Sequence, residues 1–163
     1  MSVAMQMKQA HPRLFHPEFL DRCGRGIRGI FDYWEAKRGS RFAPTRGDLD
    51  PVEMKAWLPG VVIVDVVYPD QLVYRLAGTR AVAMRGSDPT GKTVLERYFG
   101  TDRDQILENY RLAIQDRRVV YEYDHTPSRD GFLEEAETIF LPLSVDGEAV
   151  DKVLVYFEIR ERP

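Results

Sequence analysis

Residues Gly86-Ser87-Asp88-Pro89-Thr90-Gly91-Lys92-Thr93 reproduce the spacing of a phosphate-cradling loop, in which backbone amides and a lysine grip the phosphates. The surroundings argue against that chemistry. The β-rich run before the loop ends near Gly78 rather than at the first glycine, and Gly100 interrupts the segment that should be a long helix. Asp88 would set a negative charge beside phosphate, and Pro89 removes one amide. The expected role is a helix-capping loop, with P-loop-like nucleotide binding a remote alternative.

Asp65 is the odd residue in the apolar run Val61–Val67. It reads either as a carboxylate in a ligand pocket or as half of an ion pair, and pairing is favoured because a lone charge in a sheet needs a partner. A two-residue turn would set it opposite Tyr74 and an odd-length loop opposite Arg75. Use of Asp65 as the base of a small enzyme is the last-ranked reading, and no enzymatic activity is expected.

Tyr121, Tyr123 and His125 alternate onto one face of a strand, where they could line a pocket. One histidine without a partner at ligand spacing does not make a haem or metal site, so His125 reads as a hydrogen-bonded side chain. Glu134, Glu135 and Glu137 read as a solvated strand edge that resists strand addition. The chain has no Gly-x-Ser-x-Gly elbow, no His-Glu-x-x-His and no spaced His/Cys cluster. The cofactor is left unknown.

The 163 residues fit one domain, and 44% hydrophobic with 30% charged residues is ordinary globular composition. The single cysteine, Cys23, suits a reducing compartment, so a cytoplasmic address is expected. Met1–His11 lacks the apolar core of a secretion signal, and Val61–Val67 is too short to cross a membrane. Residues 1–46 carry nine Lys/Arg against four Asp/Glu, whereas 47–163 carry fourteen against twenty-two. The split suits a basic helix lying on an acidic body; no aromatic-and-basic RNA-binding signature points to nucleic acid.

The elements follow from periodicity. Between residues 17 and 38, Phe19, Cys23, Ile27, Ile30, Phe31 and Trp34 recur at three- and four-residue intervals, predicting an amphipathic helix. Gly24, Gly26 and Gly29 weaken it by about 1 kcal/mol each, so packing must hold it. A short helix over 51–57, a hairpin over 61–77, brief helices within 79–99 and a stronger helix over 102–115 come next. Strands over 119–126, 132–144 and 149–160 close the chain, the last two joined through Asp146-Gly147. In the final strand Val153, Val155, Phe157 and Ile159 make one apolar face, and Leu154 and Tyr156 make the other apolar too. Both faces need cover, and the helix over 17–38 is the surface left to supply one, in its own subunit or a partner's.

The set Tyr33-Trp34, Arg38-Gly39, Pro44, Arg46, Asp48, Asp50-Pro51, Leu58-Pro59, Asp65-Val66, Tyr74-Arg75-Leu76, Gly78-Thr79, Gly86, Asp88, Thr90-Gly91 and Leu141-Pro142-Leu143-Ser144 resembles a bacterial family of small PAS-like proteins with no assigned ligand. The resemblance covers roughly residues 15 to 160 and implies a fold without implying a reaction. The expected fold is α+β: a five-stranded antiparallel sheet with short helices on one face and the N-terminal helix on the other. Residues 1–14 are expected to form a flexible N-terminus and 15–160 a single domain.

The leading functional reading is a cytoplasmic sensory module that binds a small molecule near Asp65, Tyr74, Met84, Tyr121, Tyr123 and Phe140. No room is left for an output domain, so the signal is expected to leave by non-covalent docking to a protein or a second copy. The alternative is a ligand-free dimerisation or docking adaptor with Phe19, Ile27, Ile30, Phe31 and Trp34 at its interface. No nucleic acid, membrane or metal is expected to take part.

Overall fold

The computed structural model describes residues 13–100, 102–127 and 133–160. Its centre is one antiparallel sheet built from β1 (Arg13–Phe15), β2 (Val61–Val67), β3 (Gln71–Ala77), β4 (Val120–Pro127), β5 (Leu133–Leu143) and β6 (Lys152–Ile159), in the order β1-β4-β5-β6-β2-β3. The five expected strands are present, and a sixth is added: β1 pairs with β4 through Leu14 opposite Tyr121. Arg13 and Leu14, expected in a flexible stretch, therefore belong to the sheet; residues 1–12 lie outside the described residues.

The helices are α1 (Arg25–Arg38), α2 (Thr79–Arg85), α3 (Val94–Arg97) and α4 (Arg103–Gln115). The helix expected over 17–38 is split. A 3-10 turn at Glu18–Asp21 comes first, and α1 begins only after Gly24, whose extended backbone ends the approach. Residues 51–57 form a string of turns rather than a helix, held by bonds such as Trp57 N–H to the Met54 carbonyl at 2.8 Å. The segment does not extend as a helix because the chain must turn into the 3-10 segment Leu58–Gly60 and then into β2.

Two layers cover the sheet. On one face α1 crosses β5 and β6, burying Ile27, Ile30, Phe31 and Trp34 against Ile139, Leu141, Leu154 and Tyr156. Four such side chains contribute about 1.5–3 kcal/mol each, which outweighs the roughly 1 kcal/mol that each helical glycine costs. The glycines also permit the contact: a Cβ on Gly29 would lie 3.0 Å from the Trp57 ring. On the other face α2, α3 and α4 bury Ala81, Val94, Tyr110 and Ala113 against Val62, Val120, Phe140 and Val153.

The N-terminal helix thus covers the sheet within its own chain. Phe19, Ile27, Ile30, Phe31 and Trp34, expected at a partner interface, are all at most 4% exposed. Their apolar stripe is spent on the chain's own sheet, because β6 needed cover on both sides.

Among the described residues no helix is long and apolar enough to cross a membrane.

Candidate functional site

Alternation along the strands decides what faces the helical layer. On β5, Ala136, Thr138 and Phe140 point toward α2 and α4, as do Val62 of β2, Glu122 of β4 and Val155 of β6. From the helical side Ala81, Met84 and Arg85 of α2 and Ile106 and Tyr110 of α4 complete the wall, with Phe99 between them. The cavity, partly open to solvent, has a volume of about 90 Å³. That is less than the roughly 150 Å³ that accepts benzene in an engineered core.

Three of the residues expected to hold a ligand line this cavity: Tyr74, Met84 and Phe140. The other three do not. Tyr121 and Tyr123 belong to the layer under α1, because Glu122 between them takes the cavity side. Asp65 is an ion-pair partner: its carboxylate meets Lys152 Nζ at 2.9 Å and Arg75 Nε at 2.9 Å. The turn takes three residues, 68–70, and starts at Tyr68, so Val67 pairs with Gln71 and Asp65 opposes Val73, neither of the two expected partners. That double pairing removes the basis for Asp65 as a catalytic base.

Two charged residues on the cavity wall were not singled out from the sequence. Arg85 ends α2, and its Nη1 donates to the Tyr74 hydroxyl at 3.1 Å and to the Arg97 carbonyl at 2.8 Å. Its guanidinium lies 4.8 Å from the centre of the Tyr74 ring and 5.3 Å from that of Phe99. Tyr74 also donates its hydroxyl to the Arg97 carbonyl at 3.0 Å. Glu122 accepts from the Asn109 side-chain amide and, at 3.4 Å, from Gln105 Nε2. Asn109 in turn accepts from Arg13 Nε at 2.7 Å, so Glu122 is tied through α4 to the first strand.

Tyr110 closes the cavity beside Phe140, their rings edge to face with centroids 5.2 Å apart. Burial pushes its hydroxyl well above the ordinary tyrosine range, the neighbouring Tyr74 adds to this, and Arg85 opposes it. No proton leaves this group near neutral pH, so the polar chemistry of the cavity rests with Arg85, Glu122, Tyr74 and Thr138.

The phosphate-loop spacing has a different cause. The Gly91 amide donates to the Tyr74 carbonyl, the Lys92 amide to Pro89 and the Thr90 amide to the Asp88 carboxylate, so these three are already engaged. Gly86 and Gly91 stand at φ 85° and 86°, conformations that ending α2 and turning back onto β3 require. The next helix, α3, is four residues long and starts with a Thr93–Glu96 capping box.

Glu137 corrects the reading of an acidic edge. β5 lies between β4 and β6, and Glu137 is fully buried. Its Oε1 accepts from the Gly24 amide at 2.8 Å and from the Tyr121 hydroxyl at 2.8 Å, with Arg160 Nη2 at 3.6 Å. Cys23 lies in this same layer, across the sheet from the cavity, where burial and the Glu137 charge push its thiol up. Cys23 is the one cysteine of the chain, so no thiol lies on the cavity side of the sheet. The His125 side chain lies outside the described residues. Among those residues no group of three or more His, Cys, Asp or Glu is placed to hold a metal ion.

Residues 24–157 match a family model described as a PAS domain. No curated protein matches the sequence. Among solved structures, a Rhodobacter sphaeroides LOV protein is similar at 17% identity and TM-score 0.48, covering 63% of this chain and 60% of its own. An RNA-binding light-oxygen-voltage receptor is similar at 17% identity and TM-score 0.46, covering 71% of this chain and 35% of its own. A fungal LOV domain photoreceptor is similar at 16% identity and TM-score 0.48, covering 88% of this chain and 98% of its own. The chain thus spans less than two thirds of the first two.

Proposed function

The chain belongs to the PAS domain family, and on that premise we propose that it is a sensory module whose cavity between the sheet and the short helices takes a small molecule. The observation that carries this reading is the cavity itself, which lies between the sheet and the helical layer and is lined by Arg85, Glu122 and Thr138 among apolar walls. A ligand there touches β2, β4, β5 and β6 together with α2 and α4, so its binding strains or relaxes both layers at once. The signal then leaves by docking to a protein partner or a second copy. The unpaired thiol of Cys23 supports a cytoplasmic setting.

The experiment is to purify the protein from its host under native conditions and identify released small molecules by mass spectrometry. The same is done for Ala136→Leu, which fills the cavity from the sheet side. A molecule released in about equimolar amount by the unaltered chain and absent from the variant supports the sensor. Release of the same molecule by both places it elsewhere and contradicts the proposal.

The small volume, about 90 Å³, favours a second reading, a ligand-free docking adaptor. Such an adaptor would use a surface other than the buried stripe of α1. A protein that emerges empty from its host and stays monomeric when Ala136→Leu is introduced favours neither a ligand nor a second copy, leaving a different protein as partner.

A further inference from the structure

Arg85 is a permanently charged group on the wall of a largely apolar cavity, and its known partners are neutral. Nη1 is used by the Tyr74 hydroxyl and the Arg97 carbonyl, while Tyr74 and Phe99 present ring faces to the guanidinium. Among the described residues Nε and Nη2 donate to no protein oxygen, and no carboxylate lies within ion-pair distance. A guanidinium carries five donors in a rigid fork that matches a carboxylate, so the unused edge of Arg85 is a ready-made pair of donors for one.

Glu122, the other charge on the wall, differs in kind. Its carboxylate already receives the amides of Asn109 and Gln105, and Arg13 stands behind Asn109. Both protein bonds of Arg85 are made by Nη1, which leaves its Nε and Nη2 edge for a ligand. Val62, Ala81, Ile106, Phe140 and Val155 form an apolar part of the wall that suits a hydrocarbon tail. The volume of about 90 Å³ limits that tail to a few carbon atoms.

We infer that the cavity ligand is a short-chain monocarboxylate, its carboxylate on Arg85 and its alkyl tail against the sheet. This rests on the reading of the cavity as a ligand site, and it names the chemical class that site prefers.

The test is a titration of the full chain, methyl-labelled for NMR, with propionate, butyrate, butyramide, 1-butanol and 4-aminobutyrate. The inference expects butyrate to shift the methyls of Val62, Ile106 and Val155 and to bind about tenfold tighter than butyramide, as a charge-assisted pair against a neutral one. That preference should vanish in Arg85→Gln and persist, weakened, in Arg85→Lys. Because anion and amide are compared on the unaltered chain, the result stands even if a variant does not fold. Equal binding of butyrate, butyramide and butanol overturns the charge preference while leaving the cavity a ligand site. Tighter binding of 4-aminobutyrate overturns it too, by making Glu122 the reader. If none of the five binds, a short carboxylate is not the ligand, whereas the sensor reading itself is judged by what the host-purified protein carries.

Discussion

Glu137 on β5 accepts the Gly24 amide at 2.8 Å, so a carboxylate from the sheet caps a helix whose own N-cap residue has no side chain. A negative charge at that end also suits the helix dipole. Gly24 is needed for the approach, since a Cβ there would sit 2.8 Å from Glu137 Oε2. Replacing Glu137 by alanine leaves both the Gly24 amide and the buried Tyr121 hydroxyl without their acceptor. We expect Glu137→Ala to lose about 1–3 kcal/mol in denaturant unfolding, with faster amide exchange in the first turn of α1. Unchanged stability and exchange would show that the cap is idle.

Trp34 is the anchor at the other end of α1. Its indole N–H donates to the Pro142 carbonyl at 2.9 Å, and its ring is 4% exposed. Trp34→Ala should cost about 3–5 kcal/mol, and Trp34→Phe, which keeps most of the ring but orphans the carbonyl, about 1–3 kcal/mol. Light scattering should find the folded Trp34→Phe variant in the same assembly state as the unaltered chain. A change of assembly state without loss of stability would return this stripe to a partner interface.

Gly78 joins β3 to α2 where the chain passes the Leu58 and Pro59 carbonyls, and an added Cβ would overlap that backbone. A backbone cannot swing aside as a side-chain tip can. Gly78→Ala should therefore cost about 3 kcal/mol, the upper end of overpacking, whereas Gly47→Ala, with only Thr45 Oγ1 nearby at 3.7 Å, should stay within about 1 kcal/mol. Chemical denaturation of both variants measures the contrast, and equal losses would contradict the close approach.

Burial lifts the hydroxyls of Tyr110, Tyr121 and Tyr156 above the ordinary value of 10.0, and Glu137 and Glu158 lift the last two further by accepting from them. Above that pH the unfolded chain gives up these protons while the folded one keeps them. The stability they contribute is therefore fully present below about pH 10 and falls as pH rises toward the folded values. Phenolate absorbance should show a late component that appears only as the near-UV circular dichroism collapses. All phenols ionising at about 10 with the fold intact would contradict this.

Strands and helices were largely legible because both periods are strong in this chain. The two-sided β6, with Val153, Val155 and Phe157 against Leu154 and Tyr156, demanded cover on both faces and so foretold α1 in the second layer. Parity, however, says which residues share a face and not which layer that face meets. Tyr121 and Tyr123 were grouped correctly and assigned to the wrong side, and Glu122, carrying the polar end of the cavity, was passed over between them. The register of Asp65 was missed because Tyr68, read as the end of the strand, belongs to the turn. Glu137 was partly recoverable: the middle strand of three consecutive antiparallel strands is not an edge, so the reading of a solvated edge did not apply to it.

The ligand cavity is tested most directly by one NMR measurement, a titration of the methyl-labelled chain with a small-molecule extract of its host. Binding there predicts shifts at Val62, Ile106 and Val155 around the cavity, with Ile27, Ile30 and Leu141 beneath α1 unmoved. Silent cavity methyls throughout the titration, or shifts confined to the layer beneath α1, would contradict it.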